Sequence, residues 1–169
     1  MKKSFITFFV VMMWLGIALA QNEPYKKAKS INKIEIGGNI DFAWTFLSNL
    51  SNLEKLVPST IEKSILTGNG KGGIVTLKLT NNKGSIIEKV VYLDNKKRKI
   101  SYTMISTPLP IKNYLATFKV NKISEQKFEV VFTASFEVQD KNREVRINAF
   151  NTLQLELLQN IKKITNENK

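Results

Sequence analysis

The residue in this 169-residue chain best placed to do chemistry is a charged one inside an apolar strand pattern: Glu88, beside Lys89, between Ile86-Ile87 and Val90-Val91. Successive side chains on a strand face opposite ways, so a regular strand turns one of the pair toward the core and the other to water. A carboxylate held in an apolar pocket keeps its proton more tightly and can serve as acid, base or ligand anchor. At an edge of the sheet both charges would instead reach water. Tyr102 and Tyr114 come next, Tyr102 in phase with Ile100 and Met104, and Tyr114 with Ala116 and Phe118. Such hydroxyls either orient a polar atom of a ligand otherwise held by apolar contact or find a backbone partner, as core tyrosines do.

The residue types that are missing narrow the chemistry further. The chain has no histidine and no cysteine, so the usual zinc sites, thiol catalysis and a Ser-His-Asp triad are out of reach. Any general acid or base has to be a carboxylate, a lysine or a tyrosine. There is neither a D-x-D loop nor a spaced set of acids to suggest calcium, and the sequence predicts no metal and no cofactor. Gly68, Gly70 and Gly73 have the G-x-G-x-x-G spacing, but a dinucleotide site needs that loop to open a helix, and here it joins two strand patterns. Asn49-Leu50-Ser51 fits a glycosylation acceptor at a helix end, and reads as a chance match.

The elements that must position these groups begin after a leader. Lys2 and Lys3, the apolar run Phe5 to Leu19 and the small residues Ala18-Leu19-Ala20 have the form of a signal peptide over residues 1–20. The run is shorter than the roughly 20 residues that span a bilayer, and Gln21-Asn22-Glu23-Pro24 follows at once, so no membrane span is expected once the leader is removed. The expectation is an exported protein, periplasmic or secreted, of roughly 150 residues, enough for one domain that buries about 68–70% of its unfolded surface. Without disulfides, core packing alone has to hold it together. The formal charge of +12 raises the question of a polyanionic partner. Only Arg98, Arg143 and Arg146 offer the guanidinium fork suited to phosphate, and the lysines are scattered, so no specific nucleic-acid site is expected. Weak adhesion to anionic surfaces at low salt is expected.

Residues 21–29 read as a flexible start to the mature chain. Ile34 and Ile36 alternate with Lys33 and Glu35 as a first strand, which Gly37-Gly38 ends. Ile40, Ala43, Trp44 and Leu47 form one helical stripe, with Asn39 or Asp41 at its start, and a short turn over Leu53 to Val57 stops at Pro58. From Ile61 to Val138 the period is two. Strands are expected at Ile61–Thr67, Gly73–Thr80, Ser85–Asp94, Lys99–Ser106, Asn113–Ile123 and Lys127–Val138. Short turns between them imply antiparallel neighbours. The last is clearest, with Phe128, Val130, Phe132, Ala134, Phe136 and Val138 on one face. A helix from Asp140 to about Thr165 carries the stripe Val145, Ala149, Leu153, Leu157, Ile161 and Ile164, widened by Phe150 and Leu158, and residues 167–169 are a frayed tail. A sheet with one apolar face and a long helix with a broad stripe cover each other. One helix does not fill a strongly curved sheet, which predicts a cavity. Trp44, Phe132, Phe136, Phe150 and Leu153 either line that cavity or pack as ordinary core.

This order of elements resembles the START-like helix-grip superfamily, SRPBCC, and within it the polyketide cyclase/dehydrase-like branch. The similar segments are Phe42-Ala43-Trp44-Thr45-Phe46-Leu47, Asn52-Leu53-Glu54-Lys55-Leu56-Val57-Pro58, Gly70-Lys71-Gly72-Gly73, Ile87-Glu88-Lys89, Tyr102-Thr103-Met104 and the Pro108-to-Phe118 loop and strand. Many relatives have tryptophan two residues before the proline, where this chain has Leu56. The resemblance implies an α+β helix-grip domain over residues 30–166: about seven antiparallel strands curved around a long C-terminal helix, with two short helices and a hydrophobic pocket. It also favours Glu88 as the inward member of its pair. Two functions follow as expectations. One is an exported binder of a hydrophobic small molecule such as a lipid, isoprenoid or aromatic compound, with Trp44, Glu88, Tyr102, Tyr114, Phe132, Phe136, Phe150 and Leu153 as candidate contacts. The other is a cyclase or dehydratase using Glu88 as acid or base and a tyrosine to stabilise an oxyanion. Of the two, the binder is the expected one.

Overall fold

The computed structural model describes residues 23–168; the leader read at residues 1–20 lies outside them. Seven strands form one antiparallel sheet: β1 (Lys26–Gly37), β2 (Ile61–Thr67), β3 (Ile74–Leu79), β4 (Ser85–Asp94), β5 (Lys99–Ser106), β6 (Ile111–Ser124) and β7 (Lys127–Val138). Their order across the sheet is β1-β7-β6-β5-β4-β3-β2. Only the step from β1 to β2 departs from simple meandering, and it carries the two short helices α1 (Ile40–Ser48) and α2 (Leu53–Leu56). The long α3 (Asp140–Glu167) follows β7 and packs back across β1 and β7.

Local chemistry accounts for these boundaries. Asn39 caps α1, its Oδ1 accepting from Asp41 N at 2.9 Å and Phe42 N at 3.0 Å, which satisfies two otherwise orphaned donors. Asn49 caps the following single turn in the same way, through Ser51 N. The side chain of that N-x-S motif is thus engaged in shaping the chain. β7 alternates without a break, and every second residue from Phe128 to Val138 is buried.

β1 begins earlier than its sequence pattern suggests. Lys26 pairs with Val138 and Lys29 with Ser135, so residues 26–29 belong to the sheet and are not a flexible start. Ala28 and Ser30 are the buried members there. They are too small to stand out between lysines that face solvent.

The apolar stripe of α3 holds from Phe150 to Ile164 but not in the first turns. Val145 is 63% exposed and Ala149 lies at the surface, whereas Phe150, Gln154, Leu157, Leu158, Ile161 and Thr165 are buried. The first turns of the helix lie largely at the surface, tied to β1 by Arg143 Nη2 donating to Lys27 O at 2.9 Å, and a glutamine occupies the centre of the contact. Gln154 Nε2 donates to Ser30 Oγ at 2.9 Å, and Gln154 Oε1 accepts from Asn32 Nδ2 at 2.7 Å. Asn32 Nδ2 also reaches Asn151 Oδ1 at 3.1 Å. This satisfied buried network ties α3 to β1 in one register.

On the other side of α3, Asn160 Nδ2 donates to Leu56 O at 3.0 Å and Ser59 N donates to Glu156 Oε1 at 3.1 Å. These bonds hold the α2 segment against the helix. With α3 fixed to β1 on one flank and to α2 on the other, it spans the concave face. The densest core lies under β6 and β7, where the Phe118 and Phe132 rings meet at 4.3 Å. Toward β3 and β4 the helix is farther from the sheet.

Candidate functional site

A cavity of about 100 Å³ lies between the sheet, α2 and α3. Six residues singled out from the sequence line it: Glu88, Tyr102, Tyr114, Phe132, Phe150 and Leu153. The other two candidates do not. Trp44 is buried at the opposite end of the sheet's hairpins, its Nε1 donating to Asn95 Oδ1 at 3.1 Å, and Phe136 packs behind Phe150 at 4.7 Å. Both are core residues, and Phe136 backs the lining through Phe150.

Strand irregularity aims the polar groups. Across β4 and β5, Ile87 pairs with Ser106 but Glu88 with Met104, which leaves Ile105 as an extra residue on β5. A second shift, between Val90 and Tyr92, lies beside the Tyr102 pairing. On β6 the shift between Lys112 and Leu115 immediately flanks Tyr114, with Asn113 at φ 50°. Bulges bend a strand and redirect its side chains. Here all three inward polar residues stand next to one.

Glu88 is 2% exposed while its neighbour Lys89 lies at the surface, so the alternation holds through the irregular pairing. Its Oε2 is sealed from solvent and has no hydrogen-bond partner. Burial alone pushes the carboxyl up from an ordinary 4.5 to about 8, because a charge without a counter-ion is costly in an apolar surround. Tyr102 and Tyr114 are held well above the usual phenol range, first by burial; Tyr114 and then Glu88 add to the effect on Tyr102, and Glu88 to that on Tyr114. At neutral pH all three groups are uncharged. No hydrogen bond joins Glu88 to either tyrosine among the described residues. Tyr102 instead packs against Phe118 with the rings tilted at 5.7 Å, and Tyr114 stacks on Phe150 at 5.3 Å.

The rest of the lining is apolar, apart from Thr60, whose Oγ1 lies 3.3 Å from Ser59 Oγ. Leu53, Ile61, Leu77, Ile86, Met104 and Leu109 complete most of the walls. None was singled out in the sequence. Their inward phase was legible on β2, β3, β4 and β5, but alternation does not say which inward residues meet a void. Leu109 had one signal of its own, an apolar residue between two prolines. Thr60, Met104, Leu109 and Leu153 are only partly buried and mark the side on which the cavity approaches solvent. No lysine or arginine lines the cavity, and among the described residues no group of three or more carboxylates could hold a metal ion. The arrangement can bury an apolar body and offer it three neutral hydrogen-bonding groups.

No curated protein matches this chain. Its fold is shared with several solved structures. XoxI from Bacillus cereus is 24% identical with a TM-score of 0.72, the match covering 82% of this chain and 95% of that one. Zhui aromatase/cyclase from Streptomyces sp. R1128 is 15% identical with a TM-score of 0.73, covering 83% and 94%. Norcoclaurine synthase from Thalictrum flavum, solved with dopamine and hydroxybenzaldehyde, is 18% identical with a TM-score of 0.71, covering 100% and 99%. Residues 28–164 match the family model described as polyketide cyclase / dehydrase and lipid transport. That span runs from the first buried residue of β1 almost to the end of α3, so the chain belongs to this family, in the polyketide cyclase-like branch of the START-like helix-grip superfamily.

Proposed function

We propose that this protein is an exported carrier or sequestering protein that binds a hydrophobic small molecule, a lipid, isoprenoid or aromatic compound, in the cavity between sheet and α3. The observation that carries the reading is the enclosure itself: a carbon-lined space with a few polar atoms on its wall is the form of a small-molecule site. Its free volume, about 100 Å³, is smaller than the roughly 150 Å³ cavity that accepts benzene in another protein. A short branched chain is of this size, and a single ring enters with a small outward shift of the partly buried Met104, Leu109 and Leu153. A longer chain would leave through the partly exposed side at Leu109 and Leu153. Export is supported by the leader pattern at residues 1–20, and the product expected outside the cell begins at Gln21.

Native mass spectrometry of the full-length gene product, purified gently and without detergent, tests this. The expected result is an apolar adduct that Leu153→Trp displaces. A bare mass, from protein that also takes up no toluene, would contradict the proposal.

One observation favours a second reading, an enzyme of cyclase or dehydratase type. A carboxyl that titrates near neutrality is poised for general acid or base work, and Glu88 sits at about 8, with two phenols nearby to meet an oxyanion. Under that reading Glu88→Gln and Tyr114→Phe would abolish turnover while leaving ligand affinity intact.

A further inference from the structure

Resting on the reading of the cavity as a ligand site, the geometry points to a sharper statement about what it holds. We propose that the ligand is uncharged and enters with a hydrogen-bond-accepting oxygen facing Glu88, and that Glu88 binds it as a proton-bearing donor, so that occupancy requires this carboxyl to keep its proton.

Three observations converge on this. First, Glu88 Oε2 is a buried polar atom without a partner on the wall of an apolar space. Native interiors seldom leave such an atom unsatisfied, and a ligand atom is the natural complement. Second, the cavity has no cation on its lining. An anionic ligand would be desolvated with nothing to pair with, which is strongly unfavourable. Third, a cationic ligand would pair with Glu88 only after the carboxyl had released its proton to solvent, leaving an ion pair in a dry site. The desolvation of both charges commonly exceeds their attraction there. A neutral carbonyl, ether or hydroxyl oxygen avoids both costs.

The surroundings of Glu88 leave its protonation to burial alone. The titratable groups that face the cavity with it are Tyr102 from β5 and Tyr114 from β6, both neutral. β2, β3, β7, α2 and α3 contribute no titratable side chain to the lining. On β4 itself Lys89 points to the opposite, exposed face. Nothing nearby can compensate a carboxylate, so ionising Glu88 draws water into the cavity or closes it to an apolar guest. Binding and proton retention are then one equilibrium.

Four single-ring probes of similar size separate the alternatives: acetophenone, isopropylbenzene, benzoate and benzylamine, titrated into the full chain at pH 6 and pH 9.5 by NMR. At pH 6, acetophenone is expected to bind about three- to tenfold tighter than isopropylbenzene, the range of one net hydrogen bond. Benzoate and benzylamine are expected to bind weakest. At pH 9.5 the binding-competent fraction falls, and acetophenone affinity should drop by on the order of thirtyfold. Glu88→Gln keeps an N–H donor and has no proton to lose, so it should bind acetophenone equally at both pH values. Glu88→Leu should lose the preference for acetophenone over isopropylbenzene.

Equal affinity for acetophenone and isopropylbenzene in the unmodified protein would overturn the assignment while leaving the cavity a ligand site. So would tightest binding of benzylamine, or a pH dependence that survives in Glu88→Gln. Binding of none of the four would refute the ligand-site reading itself.

Discussion

Replacing Glu88 by glutamine should make the stability of this protein less dependent on pH, by an amount that follows from its burial. The carboxyl is held at about 8 instead of an ordinary 4.5. Between those values the unfolded chain has released this proton and the folded chain still binds it. Stability therefore falls as pH rises through the window and levels off above about pH 8. At about 1.4 kcal/mol per pH unit, the loss is about 3 kcal/mol by pH 7 and about 5 kcal/mol above pH 8. Glutamine has nearly the same shape and no ionised form, so the variant escapes this loss. Urea unfolding of both proteins, followed by circular dichroism from pH 4.5 to 9, gives the difference directly, and groups common to both cancel. The Gln variant should gain on the unmodified protein steadily across the window. A difference that stays constant to within about 0.5 kcal/mol, the usual scatter of a neutral surface change, would show that Glu88 ionises at its ordinary value and that the cavity is wet.

Trp44→Phe should cost about 1 kcal/mol in urea unfolding, the value of its bond to Asn95, and leave toluene affinity unchanged, since Trp44 is not on the cavity wall. Gln154→Leu strands the buried Ser30 hydroxyl under α3 and leaves Asn32 only its bond to Asn151, and should cost about 1–3 kcal/mol despite the gain in apolar surface. Sedimentation with phosphatidylglycerol vesicles should detect weak adhesion at 20 mM salt that is gone by roughly 0.5 M, since scattered surface charges are screened there. Adhesion that persists at high salt would point to a built anionic site.

The strands and their inward phase were readable because apolar alternation is strong where one face is buried. β7, with its three phenylalanines in phase, needed no further information. Glu88 was placed correctly as one of two choices by the same rule, since Ile86, Glu88 and Val90 stay in phase. Three things were not readable. The bulges beside Glu88, Tyr102 and Tyr114 carry no glycine or proline signal, and only Asn113, at a left-handed position, offers a residue type known to tolerate one. The contact face of α3 was readable from Phe150 to Ile164, but not Gln154 at its centre, whose partners, Ser30 and Asn32, are more than 100 residues away and polar themselves. The start of β1 was missed because its buried residues are an alanine and a serine among lysines.

Trp44 and Phe136 show the limit of reading a site from residue type alone. Both are large, aromatic and buried, and neither lies on the cavity wall. Sequence patterns report which side of a sheet a residue faces. Whether a void lies there depends on how far α3 stands from each strand, which is set by the two sets of hydrogen bonds along its flanks.

The measurement closest to the central claim is methyl NMR of the full chain titrated with toluene. The account predicts saturable shifts and intermolecular NOEs to the methyls of Leu77, Ile86, Leu109 and Leu153, which line one cavity from four separate segments, and their loss in Leu153→Trp. Absence of saturable shifts, or NOEs confined to exposed apolar residues such as Ile31 and Ile105, would contradict it.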